Sequence, residues 1–387
     1  MELQGSCPFQ AGIHGVDALH EELRTQGAGV HRGTLPDGSE AWAVTGYENV
    51  KRLLNDPRLS VVKAESLHGY AGLQLPPALD ANLLNMDGEE HRRLRKLAAE
   101  AFAPRHHRAQ DVIVAETVAE LVAELPAAGE IDLMNGLCEP LPVRVIGTLL
   151  GLPRQRLDAF RDATALVLRV DSSPDGQDTR NAMITLMGLV AGVIADKRRE
   201  PGDDLLSAWI ATRDGQDKLT ENELMSLAFL TIVAGFGNVV SLTSLVLDDV
   251  VRNHQDRARE ILDQPVEFTK FIRQLITEDS PVNYALRRFP TTDLEVNGVT
   301  IPRGHTVFLS ARSAHLDPDS AGKADLGFGY GPHYCIGAKL GEMQVKHAVH
   351  AVLQHYPHLS VTIPRENYQL LPSWLTYALA ELRMVAA

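Results

Sequence analysis

The fold of this chain is decided by one stretch, Phe328-Gly-Tyr-Gly-Pro-His-Tyr-Cys-Ile-Gly-Ala-Lys-Leu340. Its single cysteine, Cys335, stands among glycines, which let a backbone turn tightly and come close to a bulky, flat partner. An apolar pattern with helical spacing begins beside it, at Ile336, Leu340 and Met343. A thiolate at a helix N-terminus is stabilised by the helix dipole and by unpaired backbone N–H groups. Cys335 is therefore predicted to be a metal ligand or a nucleophile, the alternative being a buried structural cysteine in a glycine-rich turn.

The stretch resembles the haem-binding loop of the cytochrome P450 family, which reads Phe-Gly-x-Gly-x-His-x-Cys-x-Gly. Each named position is matched without a gap, at Phe328, Gly329, Gly331, His333, Cys335 and Gly337. A match of this length is far more specific than a lone Gly-x-Gly-x-x-Gly. The resemblance implies the cytochrome P450 fold, which is mainly α with small β-sheets, and haem b as cofactor with Cys335 as iron ligand. It extends over nearly the whole chain, so residues 1–387 are expected to form a single domain.

The composition excludes several other classes of protein. The 387 residues carry a net charge of −13, from 50 acidic and 37 basic side chains, which argues against a general nucleic-acid role. The three cysteines include no Cys-x-x-Cys pair, so a reducing, cytoplasmic environment is expected. The first residues are neither basic nor apolar, so neither a signal peptide nor a membrane anchor is predicted. The resemblance is accordingly to the soluble, bacterial members of the family.

Haem carries two carboxylates, which need cationic partners when they are partly buried. His91 and Arg95 are four residues apart on one helix face, and Asp87 is a plausible N-cap for that helix. They match a family helix of the pattern His-x-x-x-Arg, Arg288 matches a family arginine on a strand, and His333 stands two residues before the cysteine. The resemblance implies that these four side chains bind the propionates, although each alone is also compatible with a surface cation.

Expectations follow for three further residues in or near the predicted haem site. Phe328 is expected to pack near the thiolate and shield it, a role compatible with ordinary core packing. Backbone N–H groups near Gly337 are expected to donate hydrogen bonds to the sulfur. Arg287 is expected to point away from the site, because side chains alternate along a strand.

A long apolar helix is predicted in the middle of the chain. No charged residue occurs from Met225 to Leu247, which is long enough for a membrane span, but glycines and polar residues interrupt it. A central buried helix is therefore predicted, and in the family this helix crosses the distal face of the haem. The family's Ala-Gly-x-acid-Thr becomes Ala234-Gly-Phe-Gly237-Asn238 here, so the pair that normally relays protons is replaced.

The replacement changes the chemistry expected of the catalytic positions, Gly237 and Asn238. Asparagine donates and accepts hydrogen bonds but does not titrate, so it does not act as an ordinary general acid. Two glycines weaken a helix by roughly 1 kcal/mol each. Two interpretations remain open, a local bulge beside a ligand and a drifted helix with no special role.

Further departures from the family lie behind the cysteine loop. The buried Glu-x-x-Arg pair is replaced by Gln274 and Thr277, and the segment between Asp317 and the loop is short. His315 replaces an asparagine, and Asp325 stands where the family often has a basic residue. Because removing one member of an ion network leaves a costly unpaired charge, this pattern indicates a co-ordinated loss of the whole network.

The family layout also implies a substrate pocket beneath a roof loop within residues 61–84. Loops of this length in compact proteins are often functional. Trp374 is equally compatible with the core. The residues expected to line the pocket are Leu83, Leu84, Val233, Ala234, Asn283, Tyr284 and Trp374.

The resemblance implies an oxidase or monooxygenase of secondary metabolism that activates dioxygen with electrons from a ferredoxin and ferredoxin reductase. The altered relay favours oxidative cross-linking of aromatic side chains in a short peptide or aromatic natural product. Hydroxylation of a small molecule is the alternative, and a haem-binding protein without monooxygenase activity is an alternative of another class. A basic patch that steers an acidic partner is expected from Arg92, Arg93, Lys96, Arg105, Lys339 and Lys346.

Overall fold

The computed structural model describes residues 7–9, 16–67, 75–168, 177–216, 219–371 and 373–386. Helices dominate it: α1 (Val16–Thr25), α2 (Tyr47–Leu54), α3 (Pro77–Asp80), α4 (Gly88–Ala99), α5 (His107–Ala123), α6 (Pro140–Leu150), α7 (Leu157–Leu168), α8 (Gln177–Arg199), α9 (Leu205–Gln216), α10 (Glu221–Asp249), α11 (Gln255–Glu260), α12 (Pro265–Glu278), α13 (Ala311–His315) and α14 (Ala338–His355). The strands are short: β1 (Val30–Thr34), β2 (Glu40–Val44), β3 (Leu59–Ser60), β4 (Gly129–Asp132), β5 (Phe289–Pro290), β6 (Leu294–Val296), β7 (Val299–Ile301), β8 (Thr306–Leu309), β9 (Leu359–Val361) and β10 (Arg383–Ala386).

The strands form small sheets at the periphery of the helices. β1 and β2 make an antiparallel hairpin in which Val30 pairs with Val44, and β8 joins β2 in parallel with Val307 opposite Trp42. A second sheet has the order β4-β10-β9, and two further pairs join β3 to β5 and β6 to β7. The predicted class, mainly α with small β-sheets, is confirmed.

Helix α10 is the central element of the fold. Its first turn is closed by a capping box, in which Thr220 and Glu223 satisfy each other's backbone N–H groups. It packs against α3, α6, α7, α8, α9, α12 and α14. Residues Glu221–Glu260 are apolar and long enough to cross a membrane by length and composition, yet half of the most apolar window is buried inside the protein. The prediction of a central helix is confirmed.

The two glycines in the middle of α10 do not produce a bulge. Residues 234–238 continue as regular α-helix. A Cβ added to Gly235 would overlap the side chain of Ile146 on α6, so this glycine allows the two helices to approach closely. The glycine is therefore explained by helix packing, and the local bulge, one of the two interpretations left open, is not observed.

Three apolar clusters meet at the cysteine loop, residues 328–337. Phe328 packs against the largest cluster, which α5, α10, α12 and α14 share. Ile336 packs against a second cluster, built mainly from α7, α8, α9 and α10. Tyr330 packs against a third, which lies under β2 and β8. The loop is thus supported from several sides by segments that are distant in sequence.

Candidate functional site

The backbone of the cysteine loop is held in a tight, glycine-dependent turn. Gly329 and Gly331 have φ values of +78° and +72°, the left-handed region that favours glycine. A Cβ on Gly331 would lie only 2.6 Å from Oδ1 of Asn55. The Cys335 N–H donates a 2.9 Å hydrogen bond to the carbonyl oxygen of Phe328. Helix α14 then begins at Ala338, so the cysteine stands next to a helix N-terminus, as predicted.

The sulfur of Cys335 faces a recess rather than the outer surface. Its side chain is accessible to solvent, yet the surrounding protein desolvates it strongly. This desolvation raises the pKa of the thiol, although the backbone N–H groups of Gly337 and Ala338 and the charge of Arg95 lower it in part. Coordination by a metal displaces the thiol proton, so the arrangement suits a metal thiolate. A Cβ on Gly337 would lie 4.0 Å from the sulfur.

The side chains predicted to bind the propionates gather beside the loop. Arg95 Nη2 donates a 2.5 Å hydrogen bond to the carbonyl oxygen of Tyr334. The rings of His91 and His333 lie 4.3 Å apart between their centroids. Burial, together with the neighbouring His333, Arg95 and Arg288, lowers the pKa of His91 to about 4, and Asp87 opposes this shift. The structure therefore brings all four predicted partners into one electrostatic neighbourhood.

Two of these groups are buried without a partner. Nε2 of His91 and Nε of Arg288 have no hydrogen-bond acceptor within the described part of the chain. Arg288 is only 3% exposed, and burial lowers the pKa of its guanidinium to about 10. Unsatisfied buried donors are costly and indicate a missing partner. The site therefore fits a ligand that carries acidic groups and lies flat beside a thiolate, as haem does.

Asp87 has a role that the sequence analysis missed. It occupies the N-cap position of α4, as predicted, but its side chain makes no capping hydrogen bond. It accepts hydrogen bonds from Ser60 Oγ at 2.7 Å and Val61 N at 2.8 Å, and its Oδ1 lies 3.0 Å from His333 Nε2. Burial alone would raise its pKa, but His333, Ser60 and Val61 bring it to about 2. Asp87 is thus an ionised carboxylate that orients His333, which no local spacing signals.

Helix α10 has one open face in an otherwise buried environment. Ala234 and Asn238, four residues apart, are exposed, whereas Ile232 and Phe236 are buried. Gly237 lies beneath α7, where a Cβ would be 3.0 Å from Leu168 Cδ1. The Asn238 amide makes no hydrogen bond with any described residue, so it is available to a ligand.

Ser241 carries a hydroxyl one helical turn from the predicted catalytic positions. Its Oγ donates a 3.0 Å hydrogen bond to the carbonyl oxygen of Gly237, and the residue is 8% exposed. The hydroxyl proton of Ser241 is therefore already donated to a carbonyl oxygen of its own helix. The open face therefore presents an amide and a methyl group, and its titratable proton donor is absent among the described residues.

The predicted pocket residues separate into two groups. Leu84, Ala234 and Val233 are exposed or half-buried. Leu83 is 5% exposed and belongs to the cluster around α10. Residues of this cluster face inward, so Leu83 packs the core instead of lining an open pocket.

An aromatic cluster holds the two predicted pocket residues Tyr284 and Trp374. Both rings pack with Phe9 and Phe308, with centroids 4.7–6.1 Å apart. Tyr284 is 2% exposed, and its hydroxyl donates a 2.7 Å hydrogen bond to the carbonyl oxygen of Pro8. Tyr284 is a core residue, which corrects its assignment. Trp374 is half-buried against this cluster, so both interpretations of it stay open. Apolar periodicity did not distinguish a pocket wall from this cluster.

Asn283 lies at the edge of that cluster. Its Nδ2 donates a 3.2 Å hydrogen bond to the carbonyl oxygen of Trp374. Its Oδ1 is buried and has no donor within the described chain. The side chain is 3% exposed, so it joins two loops and does not line an open surface.

The roof loop is fastened by an arginine that the sequence analysis left without a role. Arg287 Nη2 donates a 2.5 Å hydrogen bond to Asn85 Oδ1, whereas Nε of Arg288 has no partner within the described residues. Asn85 Nδ2 in turn donates to Asp80 Oδ1 at 2.9 Å, and Asp80 pairs with Lys63 at 2.6 Å. This network joins β5 to residues 80–85.

The end of α12 lacks the buried ion pair, as the sequence indicates. Gln274 is exposed and donates to Glu278 Oε1 at 2.8 Å on its own helix. Arg273 reaches across to α14, where its Nε lies 2.9 Å from Glu342 Oε1. The cross-helix contact is therefore on the surface, because the Arg273 side chain is 56% exposed.

Comparison with known proteins adds independent evidence. A family model described as cytochrome P450 matches residues 322–371. Cytochrome P450 monooxygenase PikC of Streptomyces venezuelae is 33% identical over 89% of this chain and 84% of that protein. The mycinamicin IV hydroxylase/epoxidase of Micromonospora griseorubida is 32% identical over 92% of each chain.

Solved structures agree with the sequence relatives. The tirandamycin C-bound P450 monooxygenase TamI aligns with a TM-score of 0.86 at 29% identity, over 96% of this chain and 97% of that one. CxnD, a P450 enzyme for C–S bond formation in chuangxinmycin biosynthesis, aligns with a TM-score of 0.84 at 28% identity, over 95% and 93% of the two chains. The fold around the cysteine loop is therefore the one these proteins share.

Proposed function

Because the chain belongs to the cytochrome P450 family, oxidoreductases that work with haem b, we propose that it is an oxidative coupling enzyme of bacterial secondary metabolism. The substrate that we propose is a short peptide or another natural product with aromatic groups. The reaction joins two substrate positions, takes one hydrogen atom from each, and reduces dioxygen to water with two electrons from a ferredoxin.

Cys335 is proposed to be the iron ligand, with Gly337 supplying a backbone hydrogen bond to the sulfur. Haem with a thiolate ligand supplies the oxidising chemistry, since thiolate donation favours O–O cleavage. His91, Arg95, Arg288 and His333 would hold the propionates, which supply acceptors for the unpartnered His91 Nε2 and Arg288 Nε. Phe328 packs beside the loop and limits access of water to the sulfur.

The observation that supports coupling is the open face of α10, at Ala234, Gly237 and Asn238. It offers no group that gains or loses a proton near neutral pH. A proton needed at this face must therefore come from water or from the substrate, and a phenol is a suitable source. Asn238 would orient that donor through its amide.

Hydroxylation of a small molecule is the second candidate. It is favoured by the mycinamicin hydroxylase/epoxidase, which is similar over nearly all of its length. In contrast, CxnD forms a C–S bond on a fold of the same shape, which supports bond formation. A haem-binding role without catalysis is disfavoured, because these relatives are named as enzymes.

The proposed electron donor is an acidic ferredoxin that docks on the basic residues of α4 and α14. Four of the six predicted cations are paired with acids: Arg93 with Glu223, Arg105 with Glu100, Lys339 with Glu342 and Lys346 with Asp111. Arg92 and Lys96 are exposed without a partner in the described chain, so we assign them the steering role. All three cysteines are unpaired, which is compatible with the cytoplasmic location that we propose.

The central test replaces Cys335 with serine. We expect the Cys335→Ser protein to lose the long-wavelength Soret band of the reduced carbonyl complex while it keeps its helical circular dichroism. A surviving band would overturn the ligand assignment. Products of the wild-type enzyme with candidate aromatic peptides then separate the two reactions by mass spectrometry, because coupling removes two hydrogen atoms and hydroxylation adds one oxygen atom.

A further inference from the structure

Asp325 connects the start of the cysteine loop to the helix that precedes it. Its Oδ1 accepts a 2.8 Å hydrogen bond from the backbone N–H of Gly327. The same oxygen lies 3.0 Å from Nε2 of His315, the last residue of α13. The His315 side chain is only 9% exposed and that of Asp325 is 28% exposed, so solvent screens this pair incompletely.

The two side chains form a close polar contact. Neither ring nitrogen of His315 makes a well-directed hydrogen bond within the described residues. Burial would raise the pKa of Asp325, but His315, the Gly327 N–H and Thr277 together bring it below its ordinary value. The carboxylate is therefore ionised and is stabilised from three different segments.

The third of these segments is the end of α12, where the Thr277 hydroxyl lies close enough to lower the pKa of Asp325, although it donates its 3.2 Å hydrogen bond to the carbonyl oxygen of Arg273. Ser280, which follows α12, also restricts the space at the start of the loop. A Cβ on Gly327 would lie 2.9 Å from Ser280 Oγ and 3.3 Å from His315 Cε1. The loop thus begins in a narrow space between α12 and α13, where only glycine fits.

From this point the backbone leads directly to the cysteine. Gly329 N donates a 2.9 Å hydrogen bond to Leu326 O, and Cys335 N donates a 2.9 Å bond to Phe328 O. Any shift of residues 325–328 therefore moves the carbonyl oxygen of Phe328, to which the backbone N–H of Cys335 is bonded.

Thr277, His315 and Asp325 are also residues at which the sequence departs from the family pattern. They lie far apart along the chain, yet they meet at one carboxylate. Substitutions that accumulated independently would not be expected to lie at a single contact. The replacement of one network by another would be expected to produce such a grouping.

We propose that His315, Asp325 and Thr277 are positioning residues that hold the cysteine loop in place of the ion pair that α12 lacks. The proposal goes beyond the coupling reaction and rests only on the assignment of Cys335 as the iron ligand. The three residues touch neither haem nor substrate; they act through the backbone of residues 325–328.

The test is a double-substitution cycle with His315→Ala and Asp325→Asn. The readouts are the share of the reduced carbonyl complex with the long-wavelength Soret band and the rate of haem transfer to excess apomyoglobin. Each single substitution is expected to speed haem transfer about tenfold and to lower the thiolate share. In the double variant, the rate of haem transfer should rise by much less than the two single fold-changes multiplied together, because neither side chain is left without its partner.

A matched control is the pair formed by His347 and Asp111, whose Nε2 and Oδ1 lie 2.9 Å apart between α14 and α5. The same substitutions there should leave both readouts near the wild-type values, since that pair does not touch the loop. Equal effects at the two pairs, or no effect at His315 and Asp325, would overturn the proposal. Where a variant folds poorly by circular dichroism, Thr277→Val replaces it and should speed haem transfer about twofold.

The spectrum of the wild-type protein distinguishes a failure of the ligand assignment from a failure of the positioning role. A wild-type protein without the long-wavelength band contradicts Cys335 as ligand, and the positioning role fails with it. A normal wild-type band with unchanged variants contradicts only the positioning role.

Discussion

Asn238 is the residue on which the proposed chemistry depends most closely. Its amide is exposed on a central helix and has no hydrogen-bond partner among the described side chains and backbone groups. An amide holds a water molecule or a phenol in place but cannot release its own proton near neutral pH. We therefore propose that the residue directs protons that come from elsewhere.

Asn238→Ala is expected to lower product formation roughly tenfold, because a positioned proton donor contributes that order of rate or more. Haem content and the reduced carbonyl spectrum should stay unchanged, since the residue does not contact the cysteine loop. Thr231→Val is the control, because that hydroxyl already donates to Leu227 O at 2.7 Å within the same helix. An unchanged rate and an unchanged ratio of product to electrons consumed would remove Asn238 from the mechanism.

Asp279 is a buried acid that the proposed mechanism does not use. Burial raises its pKa to about 7, Asp249 adds to the effect, and Arg365 and Arg312 oppose it. Between the unfolded value of 3.8 and the folded value of about 7, the folded state retains a proton that the unfolded state has released. Its contribution to stability is therefore complete below the lower value and is lost as pH rises to the upper one.

Asp279→Asn should remove this loss, because the amide stays neutral at every pH. At a pH above the folded pKa, we expect the variant to gain on the order of 2–4 kcal/mol in the free energy of unfolding relative to the wild type. Urea unfolding at acidic and at neutral pH measures the difference. A gain that is the same at both pH values would show that charge is not the cause.

At the scale of elements, the side chain of Arg287 joins the end of the roof loop to the residues that directly precede β5. Arg287 donates to both Asn85 Oδ1 and Leu84 O, so it holds residues that lie on the route to the recess. Other polar contacts of the described part of this segment include the bond from Ser226 Oγ to Ala78 O at 2.9 Å and the Lys63–Asp80 pair at 2.6 Å. Its position therefore depends on a contact between regions that are far apart in sequence.

Arg287→Lys keeps the charge but removes the forked geometry that reaches both acceptors. We expect amide hydrogen exchange over residues 82–87 to become about tenfold faster, since one opening contact of roughly 1.4 kcal/mol is lost. Arg383→Lys serves as the control, because Arg383 pairs with Glu130 on the exposed edge of the β4-β10-β9 sheet. Unaltered exchange over 82–87 would mean that packing alone holds the roof.

At the scale of the whole molecule, the cysteine loop contacts three apolar clusters and lies next to α4, α13 and α14. Helix α10 touches elements from both halves of the chain. We therefore propose that residues 1–387 form one domain and that haem stabilises it as a unit.

Haem-loaded protein is expected to unfold in a single transition, at a higher Tm than the haem-free protein. A ligand present at about a hundred times its Kd adds about 2.7 kcal/mol to the free energy of unfolding. Circular dichroism and Soret absorbance, recorded on the same sample, should report the same midpoint. Two separate transitions would contradict both the single domain and the central place of the cofactor.

Features that depend on local spacing were predicted well. The Cys335 loop and the His91 and Arg95 face involve residues within a few positions of one another, so backbone geometry alone relates them. The replaced relay at Gly237 and Asn238 was equally visible, because helical position is set by the sequence itself. The interpretation of the glycines stayed open because Gly235 serves the contact with α6, which no local pattern reveals.

Sequence patterns were enough to predict the family, the cofactor, the cysteine next to a helix N-terminus and the four side chains expected to bind the propionates. Only the tertiary structure decided that Asp87 orients His333, that Tyr284 belongs to an aromatic core, and that His315 meets Asp325 behind the loop. The physical reason is that each of these depends on the packing of segments that are distant in sequence. Spacing along the chain carries no information about which distant side chains share a buried charge or an apolar cluster.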